Sequence, residues 1–176
     1  MIELHELGKR ICIIGPSSSG KSTLAKRLSL KLNLKVCYLD QLAHIPNTNW
    51  KPRSKELLKI DHKNFINEND QWIIEGNYSF LMEDRFANAT TTIWLDFKIL
   101  GSIFRYIKRT TNKSNNRAGN LEGAPKQFNL KLINHIIFHA PKKRNKYKKL
   151  IEESKTNLVY IDSFTELKKY YKKWEI

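Results

Sequence analysis

Gly15-Pro16-Ser17-Ser18-Ser19-Gly20-Lys21-Ser22 decides how this chain is read. It fits the pattern G-x-x-x-x-G-K-[ST] of the phosphate-binding Walker A loop without departure. Its flanks fit as well. Ile11-Cys12-Ile13-Ile14 is an apolar, largely β-branched run of strand length. Downstream, Leu24, Leu28 and Leu32 recur every four residues, as on the buried stripe of an amphipathic helix. Glycines in such a turn let successive backbone N–H groups point inward, and the helix N-terminus adds the positive end of its dipole. Residues Gly15, Ser17, Ser18, Ser19, Gly20, Lys21, Ser22 and Thr23 are therefore expected to hold ATP. Lys21 would reach the outer phosphates, and Ser22 would hold Mg²⁺.

The rest of the chain alternates strand and helix signals. Strands are predicted over about 9–14, 36–39, 72–74, 91–95 and 158–161. Helices are predicted over about 21–32, 54–67, 79–87, 98–110, 126–139 and 143–154, with a last one ending near Trp174. Pro46, Asn47, Asn49 and Pro52 make 41–53 irregular, and residues 111–125, rich in Asn and Gly, read as a mobile lid. The alternation predicts an α/β fold over 1–176 as one domain, with a doubly wound, mainly parallel five-stranded sheet. Ligands of such sheets bind outside the carboxyl ends of the strands. Asp40, Glu75, Asp96 and Asp162 end strands two to five. Carboxylates beside a phosphate site are costly unless Mg²⁺ or substrate donors balance them. Asp40 precedes irregular chain and is assigned to the acceptor side, as a base toward a hydroxyl or as a ligand to Mg²⁺-bound water. Glu75 and Asp96 are assigned to the metal. Helix capping accounts for Asp162 and is an alternative for Asp96.

Composition narrows the classes further. No apolar run approaches the ~20 residues of a membrane span. No charged n-region or long apolar h-region opens the chain, so a cytoplasmic protein is expected. Cys12 and Cys37 lie in predicted buried strands without a metal-binding spacing, which fits a reducing compartment. The net charge is +15, and it is uneven. Residues 98–149 hold fourteen Lys and Arg against one acid, Glu122, a net +13, and the remainder carries +2. So regional an excess points to an anionic partner.

Leu39-Asp40, Trp50, Trp72-Ile73-Ile74-Glu75-Gly76-Asn77-Tyr78, Arg85, Ile93-Trp94-Leu95-Asp96, Arg105 and Arg109 follow the phosphate loop at a characteristic spacing. With that loop, they make the chain resemble the adenylate-kinase-related P-loop proteins labelled DNA topology modulation (FlaR-type) proteins, over about residues 9–140. The resemblance implies a nucleoside-monophosphate-kinase-like fold with an ATP site and a neighbouring acceptor site. It differs in two places. Glu75 stands where the family usually has Asp, and Lys126-Gln127-Phe128 replaces an acid before an aromatic.

The leading reading is ATP- and Mg²⁺-dependent phosphoryl transfer to a small phosphorylated or hydroxylated acceptor, a nucleotide or nucleoside. Lys21, Asp40, Arg105, Arg109 and Arg117 are the catalytic candidates; Arg105 and Arg109 share a helix face, and Arg117 sits in the lid. Asp40, Trp50, Asn77, Tyr78 and Arg85 are the acceptor-site candidates. A GTPase fits less well, because Asn112-Lys113-Ser114-Asn115 lacks the carboxylate of the guanine-reading pattern. The alternative of another class is a nucleic-acid-binding P-loop protein or a polynucleotide 5′-kinase, favoured by the basic segment. Any nucleic-acid affinity is expected to be weak and salt-sensitive.

Overall fold

The computed structural model describes residues 1–97, 101, 118–123 and 143–176. After a 3₁₀ turn at Leu4–Leu7, strand β1 (Arg10–Ile14) leads into helix α1 (Lys21–Leu32). Then come β2 (Lys35–Tyr38), the short α2 (Leu39–Ala43), α3 (Lys55–Glu68), β3 (Trp72–Glu75), a 3₁₀ turn (Ser79–Leu81), α4 (Met82–Asn88) and β4 (Thr91–Leu95). Helix α5 (Arg144–Ser154), β5 (Asn157–Ile161) and α6 (Phe164–Lys173) complete the described elements. The five strands form one sheet in the order β2-β3-β1-β4-β5. Every pairing is parallel. This is the doubly wound α/β sheet expected from the alternation.

Side chains of successive strand residues go to opposite faces, so each strand feeds two cores. Ile11, Ile13, Ile73, Ile93 and Val159 pack with Leu24 and Leu28 of α1 and with Leu167, Tyr170 and Trp174 at the C-terminus. Cys12, Ile14, Trp72, Ile74 and Trp94 pack on the other face with Leu58, Met82, Phe86, Tyr147 and Ile151. Both thiols are buried and unbridged, and desolvation pushes each to about 12, so they are neutral hydrophobes. Ser54 and Ser163 cap α3 and α6, each accepting from the amide three residues on. Among the described residues no helix is long and apolar enough to cross a membrane.

The strand order places the site. The chain runs from β1 outward to β2, returns to β3, and crosses over β1 to reach β4. That reversal opens the crevice at the carboxyl end of β1, where the phosphate loop emerges. Register sets Glu75 beside Ile13, so the end of β3 lies at the root of the loop.

One boundary departs from expectation. Asp40 does not precede irregular chain: it sits in the first turn of α2. Leu39 and Ala43 are buried, and that burial stabilises a five-residue helix whose Tyr38 N-cap makes no side-chain cap bond. The predicted helices over 98–110 and 126–139 lie outside the described residues. Of the predicted lid, 118–123 are described, and they lie against the site.

Candidate active site

The phosphate loop needs its glycines for different reasons. Gly15 has φ +149°, and a Cβ there would lie 2.3 Å from the Leu95 carbonyl oxygen. No side chain fits so close to the β4 backbone. Gly20 takes a left-handed conformation (φ +98°) that turns the chain into α1. The amide of Ser19 donates to the Pro16 carbonyl at 3.2 Å, closing the turn. The Ser19 hydroxyl is fully buried and has no hydrogen-bond partner among the described residues. Thr23 occupies the exposed side of the first turn of α1.

Three side chains converge under the loop. Glu75, 4 % exposed, accepts a 3.0 Å hydrogen bond from Ser22 Oγ and lies 3.7 Å from Lys21 Nζ. Lys21 also donates to the Pro16 carbonyl at 3.0 Å. Burial raises the carboxyl of Glu75 above the usual range; Lys21 opposes that shift and the nearby Asp40 adds to it. The Ser hydroxyl and buried carboxylate expected for a Mg²⁺ site are therefore adjacent, and the longer Glu side chain does reach Ser22. Among the described residues no group of three or more His, Cys, Asp or Glu side chains is placed to hold a metal. A cation here would take Ser22 and Glu75 from the protein and its other oxygens from phosphates and water, as Mg²⁺ commonly does.

Asp96 is placed otherwise. Its carboxylate pairs with Arg144 of α5 and accepts a 2.6 Å bond from the Tyr160 hydroxyl of β5. Trp94 packs edge-on against both Tyr147 and Tyr160, with centroids 6.4 and 5.4 Å away. One carboxylate oxygen, Oδ2, is thus engaged in docking α5 and β5 onto the end of β4. Asp162 is exposed, and the cap of α6 is Ser163 rather than Asp162.

The acceptor-side candidates divide. Asp40 is exposed at the carboxyl edge of β2 and accepts a 2.8 Å bond from the Tyr78 hydroxyl. Burial, then the Asp40 charge, holds that phenol well above its ordinary range, so Tyr78 remains a donor. The Asp40 carbonyl meets His44 Nδ1 at 2.8 Å, and the His44 ring stands edge-on to Trp50 at 5.3 Å. Asp40, Tyr78 and Trp50 thus belong to one connected edge.

Asn77 and Arg85 do not line that edge. Asn77 faces the root of the phosphate loop. Its Oδ1 accepts from the Gly15 amide at 3.0 Å, and its Nδ2 donates to the Gly15 carbonyl. Arg85 is fully buried beneath it and donates from Nη2 to the Gly76 carbonyl at 2.6 Å. Its expected place in an acceptor pocket is corrected on that ground, since a guanidinium with no exposed surface cannot meet a phosphate arriving from solvent.

Residues 118–123 cover part of the site. A Cβ on Gly119 (φ +68°) would lie 2.7 Å from the Tyr38 ring and 3.3 Å from Ser22 Cβ. Gln41 Nε2 donates to the Asn120 carbonyl at 2.9 Å, Leu121 is 1 % exposed, and the Asn47 amide donates to the Glu122 carbonyl at 2.8 Å. Arg105, Arg109 and Arg117 lie outside the described residues. Sequence reasoning missed Arg144, Tyr147 and Tyr160 as neighbours of the site. Only the aromatic character of Tyr147, at helix core spacing, pointed inward; Tyr160 alternates with the buried Val159 and Ile161 and is exposed.

Comparison with known proteins agrees with the fold. No family model matches the chain. The structure of deoxyadenosine kinase from M. mycoides with bound dATP aligns with a TM-score of 0.51 and 12 % identity, over 94 % of this chain and 98 % of that one. The YorR protein of Bacillus subtilis, in complex with phosphorylated GDP, aligns with a TM-score of 0.49 and 18 % identity over 91 % of each chain. The tRNA dimethylallyltransferase of Nautilia profundicola is 47 % identical over 53 residues, which are 28 % of this chain. The match spans about a fifth of that enzyme, 19 % of its length. The chain thus shares the fold of that deoxyadenosine kinase structure.

Proposed function

We propose that this chain is a kinase that transfers a phosphoryl group from ATP, with Mg²⁺, to a small acceptor, a nucleoside or nucleotide. The observation that carries the reading is the convergence of Lys21, Ser22 and Glu75 under a complete phosphate loop, at the switch point of a P-loop kinase fold. Phosphoryl transfer depends on positioning and charge neutralisation more than on covalent chemistry. The backbone amides of the loop and the start of α1 would cradle the β-phosphate. Lys21 would exchange the Pro16 carbonyl and Glu75 for phosphate oxygens. Ser22 and Glu75 would hold Mg²⁺, which when bound neutralises the charge that develops between the phosphates.

The acceptor would lie on the Asp40 edge. Asp40 is exposed, near Glu75, and oriented by Tyr78, so it can take a proton from an acceptor hydroxyl. The kinase named in the structural comparison supports a nucleoside-type acceptor, and the resemblance to the FlaR-type proteins supports the same enzyme class. The far part of the basic segment favours nucleic acid less than its count implied. Lys148 and Lys149 pair with Glu152 and Glu153 along α5, at 3.8 and 3.6 Å, just past the point where the lysine run ends. Nucleic-acid affinity is accordingly proposed as secondary and salt-sensitive.

The test is calorimetric titration of the wild-type protein with ATP and Mg²⁺. Turnover against nucleosides, nucleoside monophosphates and 5′-hydroxyl oligonucleotides would follow. Saturable Mg²⁺-dependent ATP binding and turnover on a nucleoside or nucleotide are expected, with turnover lost in Lys21→Ala. A folded wild-type protein without ATP affinity refutes the reading, and turnover confined to oligonucleotides moves the acceptor to a polynucleotide.

A further inference from the structure

The core behind the phosphate loop contains a charge that packing does not require. Arg85 lies on the inward face of α4, between Met82 and Phe86, with none of its surface exposed. It has no salt bridge among the described residues. Nη2 bonds the Gly76 carbonyl, whereas Nε and Nη1 have no partner among the described residues. Burying a guanidinium in this way is unfavourable, and an apolar side chain of similar volume commonly fits such a site at least as well.

Among the described residues, the groups around it do not supply a local counter-ion. The Cys12 and Cys37 thiols are held neutral by burial. Burial raises the Tyr147 phenol, so it too stays neutral. His62 is pushed down to about 4 by burial and by Arg85 itself, so its ring is neutral at ordinary pH. The remaining group whose charge it meets is Glu75, the carboxylate immediately before Gly76. Besides standing over the Phe86 ring, 5.5 Å from its centroid, the buried cation thus addresses the peptide joining the metal-side carboxylate to Asn77.

What that peptide does is visible on its other side. Gly76 (φ +141°) packs against Leu39, where a Cβ would lie 2.9 Å from the Leu39 Cβ. Asn77 then bonds both the amide and the carbonyl of Gly15, the first residue of the phosphate loop. Tyr147 adds a 3.4 Å contact from its hydroxyl to the Asn77 carbonyl. A side-chain amide that grips both polar groups of one residue fixes the two peptides that flank it. Gly15 in turn sets where the following amides point.

We propose that Arg85 is a positioning residue of the phosphate site: by fixing the Gly76 carbonyl it sets Asn77 on Gly15, and so pre-orients the entry of the loop before nucleotide arrives. The inference deepens the proposed kinase reading and rests on it for the nucleotide. The clamp itself belongs to the ligand-free protein and is measurable there.

The experiment compares wild type with Arg85→Met, Arg85→Lys, Asn77→Ala and the double variant Arg85→Met/Asn77→Ala. Amide hydrogen exchange at Gly15 in the ligand-free protein is read against Leu28 and Ile93, two core amides away from the clamp. Titration with ATP and Mg²⁺ follows. In Asn77→Ala and in Arg85→Met, Gly15 exchange should accelerate about tenfold or more, and the ATP Kd should rise about tenfold, the scale of one lost hydrogen bond to a charged or buried group. Leu28 and Ile93 should keep their protection. Arg85→Lys, which keeps the charge but loses the planar fork, should fall between. The double variant should be no worse than the worse single variant, because both act on one contact.

Unchanged Gly15 exchange in Asn77→Ala overturns the clamp. Unchanged exchange in a folded Arg85→Met or Arg85→Lys protein overturns the role of Arg85, as does full additivity in the double variant. If Arg85→Met fails to fold, Arg85→Lys and Asn77→Ala decide the matter. If the wild type binds no ATP, the kinase reading fails, and the Gly15 exchange still decides the positioning role.

Discussion

Lys21 should stabilise the ligand-free protein as well as serve the phosphates, and the two roles separate by pH. The perturbation is Lys21→Met, which keeps most of the side-chain volume and removes the cation beside a nearly buried carboxylate. At the observed 3.7 Å, and with an effective dielectric near 20, the attraction to Glu75 is about 4.5 kcal/mol. The net loss is smaller, because Glu75 can escape by taking up a proton. That escape costs at most about 3.7 kcal/mol at pH 7 and about 1 kcal/mol at pH 5, relative to an unfolded pKa of ~4.3. The sign follows from the direction of the shift. A carboxyl whose folded pKa is raised binds more protons in the native state, so its stabilising contribution is present below the unfolded value and is lost as pH rises through the folded one. Removing Lys21 raises that pKa further and widens the window. The hydrogen bond to the Pro16 carbonyl adds about 1 kcal/mol that does not depend on pH. Urea unfolding of the ligand-free protein should therefore show Lys21→Met less stable by about 2–4 kcal/mol at pH 7 and by about 1–2 kcal/mol at pH 5. Adding Glu75→Gln should remove the difference between the two pH values. An equal loss at both, or no loss at pH 7, would refute the ion-pair reasoning and leave Lys21 as a phosphate ligand alone.

Two further outcomes follow from the geometry. Asp40→Asn should lower kcat by ~10²–10⁴-fold with little change in ATP affinity, because Asp40 lies on the acceptor edge and only its Tyr78 bond is disturbed; steady-state kinetics alongside calorimetric titration check this, and near-normal kcat rules out a base. His62, 1 % exposed and titrating near 4 in the fold, should contribute about 3 kcal/mol of stability at neutral pH that is lost as pH falls from ~6.5 toward 4. Its contact with Asp84 Oδ2, 3.6 Å from Nδ1, does not hold the ring charged, because burial and Arg85 outweigh it. Urea midpoints of wild type and His62→Gln between pH 4 and 7 should converge at the acid end if this is right, and run parallel if it is not.

Much of the architecture was legible because it is repetitive. All five strand expectations begin and end within one residue of the strands found, and α1 runs over the residues its Leu24, Leu28 and Leu32 stripe marked. Burial on both faces makes such strands near-continuous apolar runs, and a parallel sheet then requires intervening helices. Helix α2 was not legible, since Leu39-Asp40-Gln41-Leu42-Ala43 is too short for periodicity and has no cap signal. Arg85 was half legible. Met82, Arg85 and Phe86 share one helix face, and Phe86 and Met82 mark that face as buried. The residue type argued for solvent, and the position argued for the core. Asn77 was marked as a site residue, but its contact with Gly15 carried no signal, because the two lie 62 residues apart in sequence.

The contrast between Glu75 and Asp96 shows why a carboxylate at a strand end is not by itself a metal ligand. Both close central strands that flank β1, and both were assigned to Mg²⁺ for that reason. Glu75 faces two groups that ligand binding can redirect. Lys21 is an unbranched cation bonded otherwise to a backbone carbonyl, and Ser22 is a hydroxyl able to rotate from donor to ligand. Asp96 faces a planar guanidinium and a phenol that also touch each other, with Arg144 Nη2 3.3 Å from the Tyr160 hydroxyl. Both bond the same oxygen, Oδ2, so a cation drawn to that oxygen would compete with Arg144 and Tyr160 for their shared acceptor. The cheaper rearrangement is at β3, where the partners of the carboxylate are the same residues that the phosphates are expected to draw away. On that argument we propose that the metal side of the site lies between β1 and β3, with Asp96 Oδ2 holding Arg144 and Tyr160 at the end of β4.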